Sequence, residues 1–171
     1  MKTVAKFEKV SISQYFKDMD IKEEFINDKE LEKLEQDYEE LQTPKRATKG
    51  SAGYDFFAPF DIVLNPNETI KIPTGIRCKI EGGFVLNLYP RSGLGFKYKM
   101  KLDNTVGIID SDYYESDNEG HIHAKFTNMG DKIIHISKGE AYMQGVFLEY
   151  FLAEEEEVTQ VRNGGFGSTT K

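Results

Sequence analysis

Two stretches of the chain carry residue types suited to chemistry on a polyphosphate. The first reads Pro90-Arg91-Ser92-Gly93-Leu94-Gly95-Phe96-Lys97. Arg91 offers a rigid fork of donors to phosphate oxygens, Ser92 a hydroxyl, and Gly93 a backbone that can be approached closely. The second reads Val106-Gly107-Ile108-Ile109-Asp110-Ser111-Asp112-Tyr113. Here Asp110 closes a β-type apolar run and an aromatic ring follows shortly after it. A carboxylate beside a cation-bound phosphate suits the orientation of water for in-line attack. Tyr113 is placed to cover a base or a sugar.

The elements that must position these groups read as β. From Lys45 onward Gly, Asn and Pro punctuate short runs, as in Asn65-Pro66-Asn67 and Glu81-Gly82-Gly83. Phe84, Leu86 and Leu88 alternate with Val85, Asn87 and Tyr89, and Ile122, Ala124 and Phe126 alternate with His121, His123 and Lys125. Ile133–Ile136 and Val146–Phe151 are further strand candidates, and Thr3–Val10 is a candidate first strand. Many short, closely spaced strands predict a sandwich or barrel rather than a parallel sheet with crossover helices.

Between the first strand and this β region the pattern changes. Residues 11–42 hold many charges and neither Gly nor Pro. Ile12, Tyr15, Phe16 and Met19 recur at helical spacing, and Leu31, Leu34, Tyr38 and Leu41 form a second stripe. Asn27 with Glu30 makes a capping box, and Pro44 marks the expected end. The organisation expected is a single mainly β domain over 1–10 and 44–160, a helical hairpin inserted at 11–43, and a glycine-rich C-terminal arm at 161–171. The insert reads as a solvated decoration packed by one stripe, or as a docking surface for a partner protein.

Composition sets outer bounds. The chain has 171 residues, 39% hydrophobic and 30% charged, which suits one soluble domain with its own core. A net charge of -7 argues against a general nucleic-acid binder. Cys78 is the single cysteine, so no intrachain disulfide can form, and a cytoplasmic protein is expected. No apolar run is long enough to span a bilayer, and the N-terminal residues lack an apolar signal core.

Several groups read blandly when taken alone. His121 and His123 share one face of a presumed strand, but without a motif-spaced third ligand a surface pair is expected. Cys78 is expected to be a buried structural thiol. Ser92 lacks the context of a nucleophile elbow. Asp110 and Asp112 are also common turn formers. The tail, Arg162 to Lys171, is small and glycine-rich, as terminal segments often are. An aromatic and a cation in such a tail, Phe166 and Arg162, suit a lid that folds over a ligand.

Taken together, these stretches resemble the trimeric dUTPase family, the dUTP nucleotidohydrolases. Five segments match in the family's order over about residues 44–170: Ala52–Phe56, Pro90–Lys97, Asn104–Tyr113, Lys138–Gln144, and Arg162 with Gly164–Thr169. The resemblance implies a β-rich, jelly-roll-like subunit and a homotrimer whose three active sites lie at subunit interfaces. Each site would draw its first, second and fourth motifs from one subunit, its third from a neighbour and its fifth from the tail of the remaining one.

The resemblance also implies roles by position. Asp110 would activate water for attack on the α-phosphorus of dUTP, giving dUMP and pyrophosphate. Tyr113 would pack under the deoxyribose and exclude a 2′-hydroxyl. Asn104, with the hairpin backbone around Gly107 and Ile109, would read the uracil edge. Arg91, Ser92, Gly93 and Gln144 would hold the phosphate chain. Phe166 would stack on uracil, while Arg162, Gly167, Ser168 and Thr169 would reach the terminal phosphates. Asp55 and Lys97 would support. Mg²⁺ would be held through substrate phosphates and waters, with no direct protein ligand.

The chain departs from the family's pattern in places. Ala141 stands where an arginine is usual. The third motif runs into an enlarged loop, 114–120, before Gly120. The fifth motif is one residue short between Arg162 and Gly164, and Thr170 replaces a glycine. Two other readings remain open at this level. One is a dCTP deaminase or bifunctional deaminase, which would need a glutamate near the third motif. The other is an interaction or regulatory module of the repressor-binding phage type, with 11–43 or 114–120 as the contact.

Overall fold

The computed structural model describes residues 2–22 and 25–154. The chain opens with β1 (Ala5–Lys9), then α1 (Ile12–Asp18) and α2 (Asp28–Glu39). Five strands follow: β2 (Tyr54–Phe57), β3 (Ile62–Leu64), β4 (Thr69–Pro73), β5 (Ile76–Ile80) and β6 (Phe84–Pro90). A short helix, α3 (Ser92–Tyr98), leads to β7 (Met100–Leu102) and β8 (Gly107–Ile109). A 3₁₀ turn at Ser111–Glu115 precedes β9 (His123–Asn128), β10 (Ile134–Ile136) and β11 (Ala141–Glu149).

Every strand pairing is antiparallel. The largest sheet has the order β2-β11-β6-β8, and a second runs β4-β9-β7; β1 pairs with β5, and β10 with β3. Neighbours in these sheets are distant in sequence, as in the jelly-roll-like β fold expected. Alternation explains the burial. Leu86 and Leu88 of β6, Ala124 and Phe126 of β9, and Ile134 and Ile136 of β10 face inward, and all are nearly or fully buried. Phe126 meets the Tyr142 ring edge-on at 5.7 Å in the same core.

The strand expected over Val146–Phe151 instead begins at Ala141 and ends at Glu149. Residues 141–145 are drawn into it because β2 pairs with β11 from Ala141 to Gly145 and β6 joins on the other side from Met143. Tyr150 to Leu152, beyond the pairing, are exposed.

The two inserted helices form as the stripes predicted. Asn27 and Glu30 make the reciprocal capping bonds at the start of α2. That helix ends at Glu39, well before Pro44. Leu41 then leaves the helical path and packs with Val10, Tyr15 and Phe16 in a second apolar cluster. The fit there is tight: a Cβ on Gly75 would lie 2.4 Å from Leu41 Cδ1, and Gly75 has φ +75°. Lys138 adds contacts to Asp37 at 2.5 Å and Glu40 at 2.7 Å.

The expectation of a surface histidine pair is overturned. His121 has no exposure, and only 4% of the His123 side chain is exposed. The cause lies in the insert: the Tyr15 ring of α1 lies 6.2 Å from the His121 ring, and Asp18 at the C-terminal end of α1 meets both histidines. Cys78 is buried as expected, and burial pushes its thiol up to about 12. No helix among the described residues is long and apolar enough to cross a membrane.

Candidate active site

A cleft of about 270 Å³ opens beside the loop joining β7 to β8. Asn104, Gly107, Ile109, Asp110, Tyr113 and His123 are among its lining residues. The loop turns tightly: the Thr105 amide donates to Leu102 O at 2.8 Å and the Val106 amide to Asn104 O at 2.7 Å. Thr105 adopts φ +63°, which leaves Asn104 exposed at the tip. Gly107 is required by close approach, since a Cβ there would lie 3.0 Å from Leu88 Cβ.

Asp110 follows β8 directly and is the N-cap of the 3₁₀ turn, half-buried with extended backbone. Its carbonyl accepts the Tyr113 amide at 3.2 Å, so the turn fixes the carboxylate relative to the ring. Tyr113 is 6% exposed and forms a floor rather than a flap. Its hydroxyl donates to His121 O at 2.8 Å and accepts from Asn118 Nδ2 at 2.8 Å. A base or sugar can therefore meet a rigid aromatic face with a carboxylate at its rim.

A second group lies on the far end of the same sheet. Gln144 of β11 pairs with Asp55 of β2 on one side and Tyr89 of β6 on the other. Gln144 Nε2 reaches Pro90 O at 3.5 Å. Asp55 Oδ1 lies 3.4 Å from Arg91 Nε, which orients the guanidinium without covering it; the Arg91 side chain keeps 44% exposure. Ser92 and Gly93 begin α3, and a Cβ at Gly93 would meet only open space. Lys97 is exposed in the last turn of α3.

The two groups do not meet within one subunit. Ile109 pairs with Leu86, and β8 runs so that Asp110 continues away from Arg91. The strand rise of about 3.3 Å per residue puts roughly 17–20 Å between them along β6. Arg91 and Asp110 of one chain cannot both attend adjacent phosphates of one ligand.

Arg162, Phe166, Gly167, Ser168 and Thr169 lie outside the described residues. The sequence missed α3, because Gly93 and Gly95 are poor helix formers. It also missed His123, whose place in the cleft carries no local signal. The alternation that put His121 and His123 on one face was visible, but the partner that buries them is not.

Comparison with known proteins bears on the same residues. The family model for dUTPase matches residues 39–170. The deoxyuridine 5′-triphosphate nucleotidohydrolase of Lactococcus lactis subsp. lactis is 42% identical over 132 residues, covering 75% of this chain and 88% of that one. The crystal structure of dUTPase from Streptococcus mutans matches with a TM-score of 0.62 and 30% identity, over 86% of this chain and 98% of that one. A Staphylococcus bacteriophage 80alpha dUTPase with dUPNHPP matches with a TM-score of 0.57 and 26% identity, over 74% and 90%.

Proposed function

The chain belongs to the dUTPase family, the dUTP nucleotidohydrolases, and we propose that it hydrolyses dUTP to dUMP and pyrophosphate at sites shared among three copies of itself. The observation that carries the shared site is the separation of its halves. The nucleoside cleft with Asp110 and Tyr113, and the phosphate-binding group with Arg91 and Gln144, occupy opposite ends of β6. A homotrimer lets the cleft of one subunit face the Arg91 group of the next.

In this reading Asn104 and the backbone at Gly107 and Ile109 meet the uracil edge. A site built on such hydrogen bonds rejects bases that leave its polar groups unpaired. Tyr113 lies under the deoxyribose. Arg91, Ser92, Gly93 and Gln144 of the neighbouring subunit hold the phosphates, with Asp55 keeping Arg91 in place and Lys97 nearby. Asp110 accepts a proton from water as the water oxygen bonds to the α-phosphorus. The bond from that phosphorus to the bridging oxygen breaks, and pyrophosphate leaves with the electron pair. Phe166 closes over the base, and Arg162, Gly167, Ser168 and Thr169 reach the terminal phosphates.

Mg²⁺ fits the donor set. Arg91 has Asp55 against it, and even with Lys97 and Arg162 nearby a triphosphate's charge is left partly unmatched. Phosphate oxygens and waters are the ligands Mg²⁺ prefers, and Asp55 would bind through such water. When bound, Mg²⁺ neutralises charge on the phosphates.

The test is pyrophosphate release from each dNTP and from UTP, with and without Mg²⁺, beside a solution mass. Release confined to dUTP, dependence on Mg²⁺ and a mass of three chains are expected. Release of ammonia from dCTP, or a monomer with full activity, would overturn the reading.

A further inference from the structure

The insert and the enlarged loop after Tyr113 are two separate departures in the sequence and one unit in the structure. Ser11, the N-cap of α1, donates its amide to Glu119 Oε2 at 2.7 Å and its hydroxyl to Oε1 at 2.6 Å. At the other end of α1, Asp18 Oδ2 lies 2.5 Å from His121 Nδ1. Between these anchors the loop is held from below. Tyr114 donates to Glu8 Oε2 at 2.5 Å, and Arg77 stacks 3.6 Å from the Tyr114 ring. Gly120, at φ +68°, has no room for a side chain, since a Cβ would lie 2.7 Å from Tyr113 O.

His121 joins this unit to the cleft. The Gly75 amide donates to His121 Nε2 at 2.8 Å. A ring nitrogen that accepts carries no proton, so in the neutral ring the proton sits on Nδ1 and is donated to Asp18. Asp18, His121 and His123 offer ligand atoms within 4.8 Å of one another, a spacing open to a metal ion. The proton on Nδ1 blocks that use of His121 and makes the group a hydrogen-bonded clamp instead. The carbonyl of this locked residue accepts the Tyr113 hydroxyl at 2.8 Å. His123, with Nε2 3.5 Å from the same Asp18 oxygen, lines the cleft beside Tyr113.

We infer that Asp18 is a positioning residue for sugar recognition: acting through His121, it holds the Tyr113 ring at the height that excludes a 2′-hydroxyl. The insert is thereby a brace for the pocket of its own subunit. The inference rests on the reading of Tyr113 as the surface under the deoxyribose.

The experiment compares kcat/KM for dUTP and for UTP in the wild type, Asp18→Ala, Asp18→Asn and Glu119→Ala. Removing one acceptor from a buried donor is expected to lower the dUTP-to-UTP ratio roughly five- to tenfold in Asp18→Ala. Asp18→Asn keeps an oxygen that accepts from Nδ1, and its ratio stays within about twofold of the wild type. Glu119→Ala frees Ser11 at the solvent rim without opening the core, and its ratio falls by about twofold or more. A lower melting temperature with an unchanged ratio in Asp18→Ala would overturn the brace, since a merely structural contact gives that result. Should Asp18→Ala fail to fold, an unchanged ratio in Glu119→Ala overturns it equally. A wild type indifferent to the 2′-hydroxyl would instead overturn the reading of Tyr113, and the brace with it.

Discussion

Arg91 and Asp110 stand at opposite ends of one pair of strands, because Asp110 follows Ile109 and Ile109 pairs with Leu86, five residues before Arg91. A site that needs both must take them from different subunits. Arg91→Ala and Asp110→Asn chains are therefore each expected to be nearly inactive alone. Unfolded together and refolded as an equal mixture, they should regain roughly a quarter of the wild-type sites, the chance that each site draws both intact groups from random trimers. Pyrophosphate release measures the recovery. An inactive mixture of correct mass would place both groups in one subunit's site.

Asp110→Asn separates binding from chemistry. The amide is the same size and keeps the turn to Tyr113, whose amide bonds the main chain of residue 110. Loss of the base should lower kcat by roughly 10²–10⁴ or more. Calorimetric titration with a non-hydrolysable dUTP analogue should show affinity within a few-fold of the wild type. Near-normal turnover would remove Asp110 from the catalytic role.

Deleting residues 162–171 tests the arm. Turnover is expected to fall by roughly 10² or more, as closure over a reacting phosphate completes the site. The solution mass should still correspond to three chains, now each shorter by the ten residues removed. An unaffected rate would end the role given to Arg162, Phe166, Ser168 and Thr169.

Local residues made much of this legible. Asn104, Asp110 and Tyr113 come from one continuous segment, the β7–β8 loop, β8 and the 3₁₀ turn after it, so they stay together in the cleft. The same holds for the Asn27–Glu30 box and for the alternation along β6. What stayed hidden depends on long-range contact. Asp18 and His121 are 103 residues apart, and no periodicity links a helix end to the loop that precedes β9. Helix α3 forms despite two glycines, with Lys99 in the left-handed region closing its last turn. The end of α2 at Glu39 was also hidden, because Leu41 is drawn away by tertiary packing against Tyr15 and Gly75.

The insert should be held by apolar packing and not by its charges. Phe16 is 4% exposed in the cluster with Val10, Tyr15 and Leu41. Phe16→Ala is expected to destabilise the folded chain by about 3–5 kcal/mol. Lys138 meets Asp37 and Glu40 with side-chain exposures of 30%, 35% and 50%. Water screens such pairs, and Lys138→Ala should cost about 1 kcal/mol or less. Urea unfolding of the two variants distinguishes them. A larger loss in Lys138→Ala would make the insert an electrostatic attachment.

Acid should loosen the same region. Burial holds His123 down to about 4, with His121 and Lys71 adding to the effect and Asp18 opposing it. Burial likewise lowers His121, against the pull of Asp18. In the unfolded chain both rings take up protons near pH 6.5. Between that value and 4 the unfolded state binds more protons, so stability falls as pH falls. Asp18 acts in the same sense at lower pH. Burial raises it, but the bonds from Gln14 and His121 prevail and hold it below its ordinary value, so its contribution is lost only as pH drops through that lowered value. The melting temperature should therefore decline from pH 6.5 to 4.5. In His123→Gln, which cannot take up the proton in either state, the decline should be shallower over that range. Parallel profiles for the two proteins would show that the acid sensitivity arises elsewhere.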